Sequence, residues 1–220
     1  MSDPLLNRNH CDLNDGAADF ISGTKTAADW YVTRQNLTVG QSQGWHNAFT
    51  DFFEERLKLR YLEPIQVLRA NGNSRGEGFS ILAIQCSLIE FLESAVQGVN
   101  YKYLPRKQKA GKFEYSASKA IFISFLTKRA PFSTVFTNDT AEDFYASVRC
   151  GLLHEARTKN GWRIWAENPF GTIVKINQKI VYRDNFQDAI LTHLKSYATQ
   201  LPHVSDLQEA FIRKLDYLCQ

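Results

Sequence analysis

The stretch Gly78-Phe79-Ser80-Ile81-Leu82-Ala83-Ile84-Gln85-Cys86-Ser87-Leu88-Ile89-Glu90-Phe91-Leu92-Glu93-Ser94-Ala95-Val96-Gln97 is the most apolar in the chain. Its apolar residues cover most of a helix circumference, which is the pattern of a central helix in a bundle. Ser87, Glu90, Ser94 and Gln97 recur at steps of three and four, so they share one stripe. That stripe either faces solvent or lines a polar groove. The expected architecture is therefore mainly α, a helical bundle built around this segment.

Helical spacing continues on both sides. Phe49, Phe52, Phe53, Leu57 and Tyr61 predict a helix that Pro64 should kink or end, because proline lacks an N–H and crowds the preceding turn. A turn follows at Asn71-Gly72-Asn73. Residues 116–127 predict a helix burying Ile121, Phe122 and Phe125. Residues 140–156 predict another, opened by Thr140 with Asp143 as a loose capping box and fraying before Asn160-Gly161. The period then switches to two over 162–166, 172–176 and 179–183, predicting a small antiparallel β-meander inserted after that helix. Two amphipathic helices close the fold. Phe186, Ile190, Leu194, Tyr197 and Leu201 mark the first. Leu207, Phe211, Leu215 and Leu218 mark the second, with Ser205 and Gln208 as its capping pair.

Residues 1–43 are rich in Asp, Asn, Gly and Ser, with five acids and two bases between Met1 and Trp30. They read as a polar arm over the surface, partly mobile, with Trp30-Tyr31-Val32 as a short strand. Residues 44–220 read as a single domain, with 162–183 as the meander insertion. The chain has 220 residues, 44% of them hydrophobic, which is ample for a core and too apolar for disorder. No run of about 18 apolar residues is present, so no membrane span is expected. Met1-Ser2-Asp3-Pro4 lacks a basic-then-apolar signal, and the expected location is cytoplasmic. Cys11, Cys86, Cys150 and Cys219 are scattered without a Cys-x-x-Cys pair, which argues against a zinc knuckle and demands no disulfide.

Charge is uneven. Eight bases and one acid, Glu114, lie between Tyr101 and Ala130, a local +7 in a chain of +3. The remainder is therefore net acidic. Concentrated positive charge of this kind either attracts phosphates or forms a solvated loop. No phosphate loop, dinucleotide fingerprint, His-Glu-x-x-His or Gly-x-Ser-x-Gly motif occurs, and neither metal nor cofactor is expected.

The remaining chemistry lies in Tyr145-Ala146-Ser147-Val148-Arg149-Cys150-Gly151-Leu152-Leu153-His154-Glu155-Ala156. Five residues separate Arg149 from His154, about 500° of helical rotation, so the two project about 140° apart. They do not stack as neighbours at steps of three or four would. They could still border one groove if the helix end tilts or Gly151 loosens it.

The whole string resembles the HEPN superfamily, whose signature is Arg-x(4–6)-His at the end of a core helix. Arg-Cys-Gly-Leu-Leu-His-Glu-Ala before a Gly-Trp strand start is similar to a branch found in bacterial conflict systems and mobile elements. Cys86-Ser87-Leu88-Ile89-Glu90-Phe91-Leu92 resembles the earlier core helix of that branch. The likeness covers roughly residues 79–165. It departs at Cys150, where many catalytic members carry a polar residue after the arginine. The resemblance implies a HEPN-like bundle and a metal-independent endoribonuclease of toxin or defence type. Arg149 and His154 would be catalytic. The resemblance also implies a homodimer with a composite active site, and an antitoxin or regulatory partner is a further expectation.

The residues suit that chemistry. The ribose 2′-OH is an internal nucleophile, so the substrate already supplies proximity. His154 would move protons, and the Arg149 fork would hold phosphate oxygens. The products would be a 2′,3′-cyclic phosphate and a 5′-hydroxyl. Glu90 is expected to support Arg149, unless it is simply a solvated residue of the stripe. Arg106, Lys107, Lys109, Lys112, Arg157, Lys159 and Arg163 are expected to hold the RNA backbone. Two alternatives stand beside this reading, a non-catalytic module binding RNA or nucleotide and a helical protein-interaction domain.

Overall fold

The computed structural model describes residues 20–38, 40–72, 76–105 and 108–220. Helix, including three short 3-10 turns, accounts for 67% of these residues, with seven longer helical runs and three small sheets. In chain order the helices are α1 (Ala27–Gln35), α2 (42–71), α3 (Glu77–Gln97), α4 (Ser118–Lys128), α5 (138–155), α6 (Arg183–Gln200) and α7 (Ser205–Leu218).

α3 is the central helix, in contact with α2, α4, α5, α6 and α7. It is long and apolar enough to cross a membrane by length and composition, with a mean hydropathy of 1.5, yet 61% of that window is buried within the bundle. Most of the helix is thus covered by other parts of the same chain. On its buried face the Gln85 amide nitrogen donates to the Arg183 carbonyl at 2.8 Å and to Gln187 at 3.1 Å, while the Gln85 amide oxygen is buried with no hydrogen-bond partner among the described residues. Glu93, fully buried, accepts from Arg129 Nε (2.7 Å), Ser124 (2.7 Å) and Gln97 (2.6 Å). Burial alone would push its carboxyl up, but these three donors outweigh burial and hold it below the ordinary value.

α2 continues through Pro64 instead of ending there. It carries two π-helical segments, Phe49–Glu54 and Lys58–Leu62, between its α-helical parts. The Glu63 N–H bonds back to the Lys58 carbonyl, so Pro64 opens a fresh α-helical segment. A missing N–H costs little at that position, just as at the first turn of a helix.

The expected surface arm is corrected over its described residues. Residues 27–35 form a helix, not a strand, because Thr26 and Asp29 make a capping box at its start. Trp30 is fully buried, edge-on to Phe52 (5.4 Å) and Phe211 (6.0 Å), and its indole N–H donates to Asp216 at 2.9 Å. Ile21 and Trp30 thus join the core while most of their neighbours stay exposed or half-buried, and residues 1–19 lie outside the described ones.

Two other expectations are corrected locally. α5 is capped by Thr137 with Thr140, one turn earlier than expected. Asp143 instead accepts from Ser147 at 2.7 Å and from the Trp162 indole at 3.0 Å. At α7, Ser205 makes no side-chain cap.

The region after α5 is not an antiparallel meander. The sheets are β1 (Phe20–Ser22) with β2 (Lys25–Thr26), β3 (Asn100–Tyr101) with β4 (Glu114–Tyr115), and a three-stranded sheet of β5 (Arg163–Trp165), β6 (Val174–Lys175) and β7 (Ile180–Tyr182). β7 lies in the middle, antiparallel to β6 but parallel to β5. Lys179, at φ 52°, closes the tight β6–β7 turn. The longer link through Asn168 and Gly171 carries β6 to the far edge, so β5 meets β7 in the parallel sense.

Candidate phosphate-binding groove

α5 places the motif residues. It changes from α-helix to a π-helical turn at Tyr145–Arg149 and back to α-helix at Cys150–Glu155. The helix stops at Ala156, which takes left-handed backbone at φ 52°. The chain then folds back on it: Lys159 N–H donates to the Ser147 carbonyl at 2.8 Å and Arg157 N–H to the Gly151 carbonyl at 3.3 Å.

Arg149 and Glu90 come together as an ion pair, Nη2 to Oε2 at 3.1 Å, with both side chains mostly buried. The guanidinium also lies 5.4 Å from the Tyr145 ring centre. Burial pushes the Glu90 carboxyl up, and Arg149 offsets only part of this. On Arg149 burial acts downward and is the largest single influence, but Glu90, Tyr145 and Cys150 together outweigh it, so its net shift is upward.

The pair borders a groove of about 590 Å³. Ser87, Glu90 and Ser94 line it from α3, so three members of the polar stripe face this groove. Gln97 does not, since it turns to Glu93 and Ser124. α2 adds Arg56, Arg60 and Tyr61, and α7 adds Lys214 and Tyr217. β3 and β4 bring Tyr101 and Tyr115 side by side, their rings 5.7 Å apart. Burial first, and then the Glu90 charge, push the Tyr115 hydroxyl up to about 12.

The electrostatics are lopsided. The groove carries four cations and one carboxylate, and that carboxylate is taken by Arg149. Among the described residues no acid lies within ion-pair distance of Arg56, Arg60 or Lys214. Lys214 is only 5% exposed, and burial followed by the nearby Arg56 pulls its ammonium down to about 8. Burial, then Arg60, likewise pulls Arg56 down to about 10. Such a surface can take up phosphate oxygens, and its four phenol rings offer faces on which bases stack.

His154 is elsewhere. It is exposed in the last turn of α5 and does not line the groove that Arg149 borders. Within one chain His154 therefore does not share the groove that Arg149 borders, in keeping with their projected rotation of about 140°.

The expected RNA-contacting residues are dispersed. Arg106 and Lys107 lie outside the described residues. Lys109 and Lys112 are exposed, the latter over the Phe113 ring at 5.1 Å. Arg157 and Lys159 both pair with Glu155, at 2.8 and 3.1 Å. Arg163 is exposed and reaches the Gln178 carbonyl. The basic stretch is also less positive than its count suggests, because Lys102 pairs with Glu114, Lys119 with Glu142 and Arg129 with Glu93.

Arg56, Arg60, Lys214 and the tyrosines were not singled out from the sequence. One signal was available for Lys214. It falls between Phe211 and Leu215 on the apolar face of α7, where a lysine must be buried. Nothing comparable marks Arg56 and Arg60, whose convergence depends on the fold.

No protein-family model matches the chain, and no curated protein or solved structure matches it.

Proposed function

We propose that this chain binds RNA in the Arg149 groove and cleaves it, as a HEPN-type endoribonuclease whose working form is a pair of chains. The observation that carries the reading is the Arg149–Glu90 pair at 3.1 Å, on the border of a groove whose other cations have no carboxylate partner among the described residues. A guanidinium held by a carboxylate has a defined fork, and a fork suits two oxygens of one phosphate.

In this reading the ribose 2′-oxygen attacks phosphorus while a base removes its proton. The phosphorus–5′-oxygen bond breaks, and an acid returns a proton to the leaving oxygen. Arg149 stabilises the charge gathering on the phosphoryl oxygens. His154 is the proton-carrying group. Its exposed position, next to a half-exposed Leu153, suits a contact with a second copy of the chain. A two-fold pairing would bring both copies of α5 to one cleft and supply the acid and the base separately. A toxin or defence role in the cytoplasm, held in check by an antitoxin, belongs to the same proposal through the sequence resemblance.

The experiment is RNA incubation with the purified chain in EDTA, with end-group analysis of the products. We expect 2′,3′-cyclic phosphate and 5′-hydroxyl ends, with activity lost in both Arg149→Ala and His154→Ala. Mixing the two variants should restore part of the activity if the site is shared between chains. Full activity in either variant alone overturns the reading. A second reading, RNA or nucleotide binding without turnover, is favoured by one observation, the absence of His154 from the groove. It predicts salt-sensitive binding and intact RNA in every sample.

A further inference from the structure

We propose that Arg56, Arg60 and Lys214 form a binding site for a phosphate monoester, the terminal phosphate of a nucleotide or of an RNA 5′ end. This goes beyond cleavage at Arg149 and does not depend on it.

The three cations converge by construction. Arg56 and Arg60 both donate to the same acceptor, the Ile21 carbonyl, the second at 3.4 Å, so their guanidinium groups are held next to each other. Lys214 reaches the same groove from α7. Its ammonium gives one proton to Ser94 Oγ at 2.8 Å and one to the Val99 carbonyl at 3.1 Å. Both acceptors are neutral, and an ammonium has three protons to give. The acid that lines the groove and the one beside Lys214 in the sequence are committed elsewhere. Glu90 binds Arg149, and Asp216, two residues after Lys214, is shared by Trp30 and Arg34.

Gathering three like charges, one of them buried, costs free energy that the fold itself does not offset with a counter-ion. An anion in the groove offsets it. The charge count selects the anion. A backbone diester brings one negative charge, whereas a monoester with its second pKa near 6 carries between one and two at neutral pH, with three acceptor oxygens. The phenol rings of Tyr61, Tyr101 and Tyr115 border the same space and favour a phosphate that carries a base.

The test uses the intact chain and a short 2′-O-methyl oligoribonucleotide labelled at its 3′ end, with either a 5′-phosphate or a 5′-hydroxyl. This probe lacks the internal nucleophile, so the measurement is separate from cleavage. We expect the 5′-phosphate form to bind at least about tenfold more tightly. Lys214→Met and Arg60→Gln should each cut that preference to about threefold or less. Arg60 is exposed, so its variant decides the matter even if Lys214→Met fails to fold. Competition by AMP and ADP would identify free nucleotides as the source of the monoester. A retained 5′-phosphate preference without competition would identify the RNA end. Equal affinity for the two oligomers, or a preference unchanged in both variants, overturns the proposal.

Discussion

Glu90 Oε2 stands 3.1 Å from Arg149 Nη2, joining the central helix to the motif helix across 59 residues of sequence. The carboxylate orients the arginine and also competes with any phosphate for it. Glu90→Gln should therefore separate two effects. RNA affinity should rise and the slope of log affinity against log salt should steepen by about one, because one more cation is free. The cleavage rate on bound RNA should fall, because the fork loses its anchor. Binding curves at several salt concentrations and single-turnover kinetics on the same protein check both.

The same pair sets a pH response. Burial raises the Glu90 carboxyl above its ordinary value, so the folded protein binds that proton more readily than the unfolded chain. Acidification toward the raised value neutralises Glu90 and releases Arg149. RNA affinity should therefore increase as the solution becomes mildly acidic, and Glu90→Gln should remove that part of the response.

Lys214 gives a response of opposite origin. Its ammonium sits near 8 in the folded chain, well below the ordinary lysine value of 10.5, chiefly through burial. Between those values the unfolded chain binds more protons, so stability rises with pH. From pH 8 to pH 9 the gain is about 1 kcal/mol, since each pH unit over which only the unfolded chain is protonated contributes about 1.4 kcal/mol. The groups facing Lys214 across the groove are Arg56, Arg60, Arg149, Glu90 and Tyr115. Arg56 and Tyr115 titrate above this window, at about 10 and about 12. Urea unfolding of the parent chain and of Lys214→Met at both pH values checks it, because the variant should lose the increment.

Gly151 lies between Arg149 and His154, and a Cβ there would strike the Arg157 carbonyl oxygen. Alanine is otherwise the better helix former by about 1 kcal/mol. The collision is with backbone and should win. We expect Gly151→Ala to destabilise the fold by about 1–3 kcal/mol, the usual cost of overpacking. Hydrogen exchange should show the loss concentrated at the Lys159–Ser147 and Arg157–Gly151 bonds.

Trp30 tests whether the first helix belongs to the core. It is fully buried against Phe52 and Phe211. Trp30→Ala should cost about 3–5 kcal/mol, the range for emptying a large aromatic site. A loss under 1 kcal/mol in urea unfolding would mean that the segment is only loosely attached.

The helices carrying apolar residues at regular spacing were legible because burial imposes that spacing. Phe122, Phe125, Phe186 and Phe211 are all fully buried where their periodicity put them. Around Trp30, Asp, Gly and Thr outweigh a single indole in composition, although the Thr26–Asp29 box marks the start of a helix. The strand order of the three-stranded sheet was beyond reach. Period two marks a strand but says nothing of which neighbour it takes. At the groove, the polar stripe on α3 could be seen because it lies on one helix. The three cations could not, because their meeting depends on the packing of α2 against α7 and on the carbonyl of Ile21.

One consequence concerns the order in which a ribosome builds this chain. Arg149 and Glu90 emerge early, but Lys214 and Tyr217 come from α7, which is translated after every other wall of the groove. A nascent polypeptide can hold the motif helix for many seconds while the binding surface still lacks a side. The groove is therefore complete only once α7 has been made and has docked.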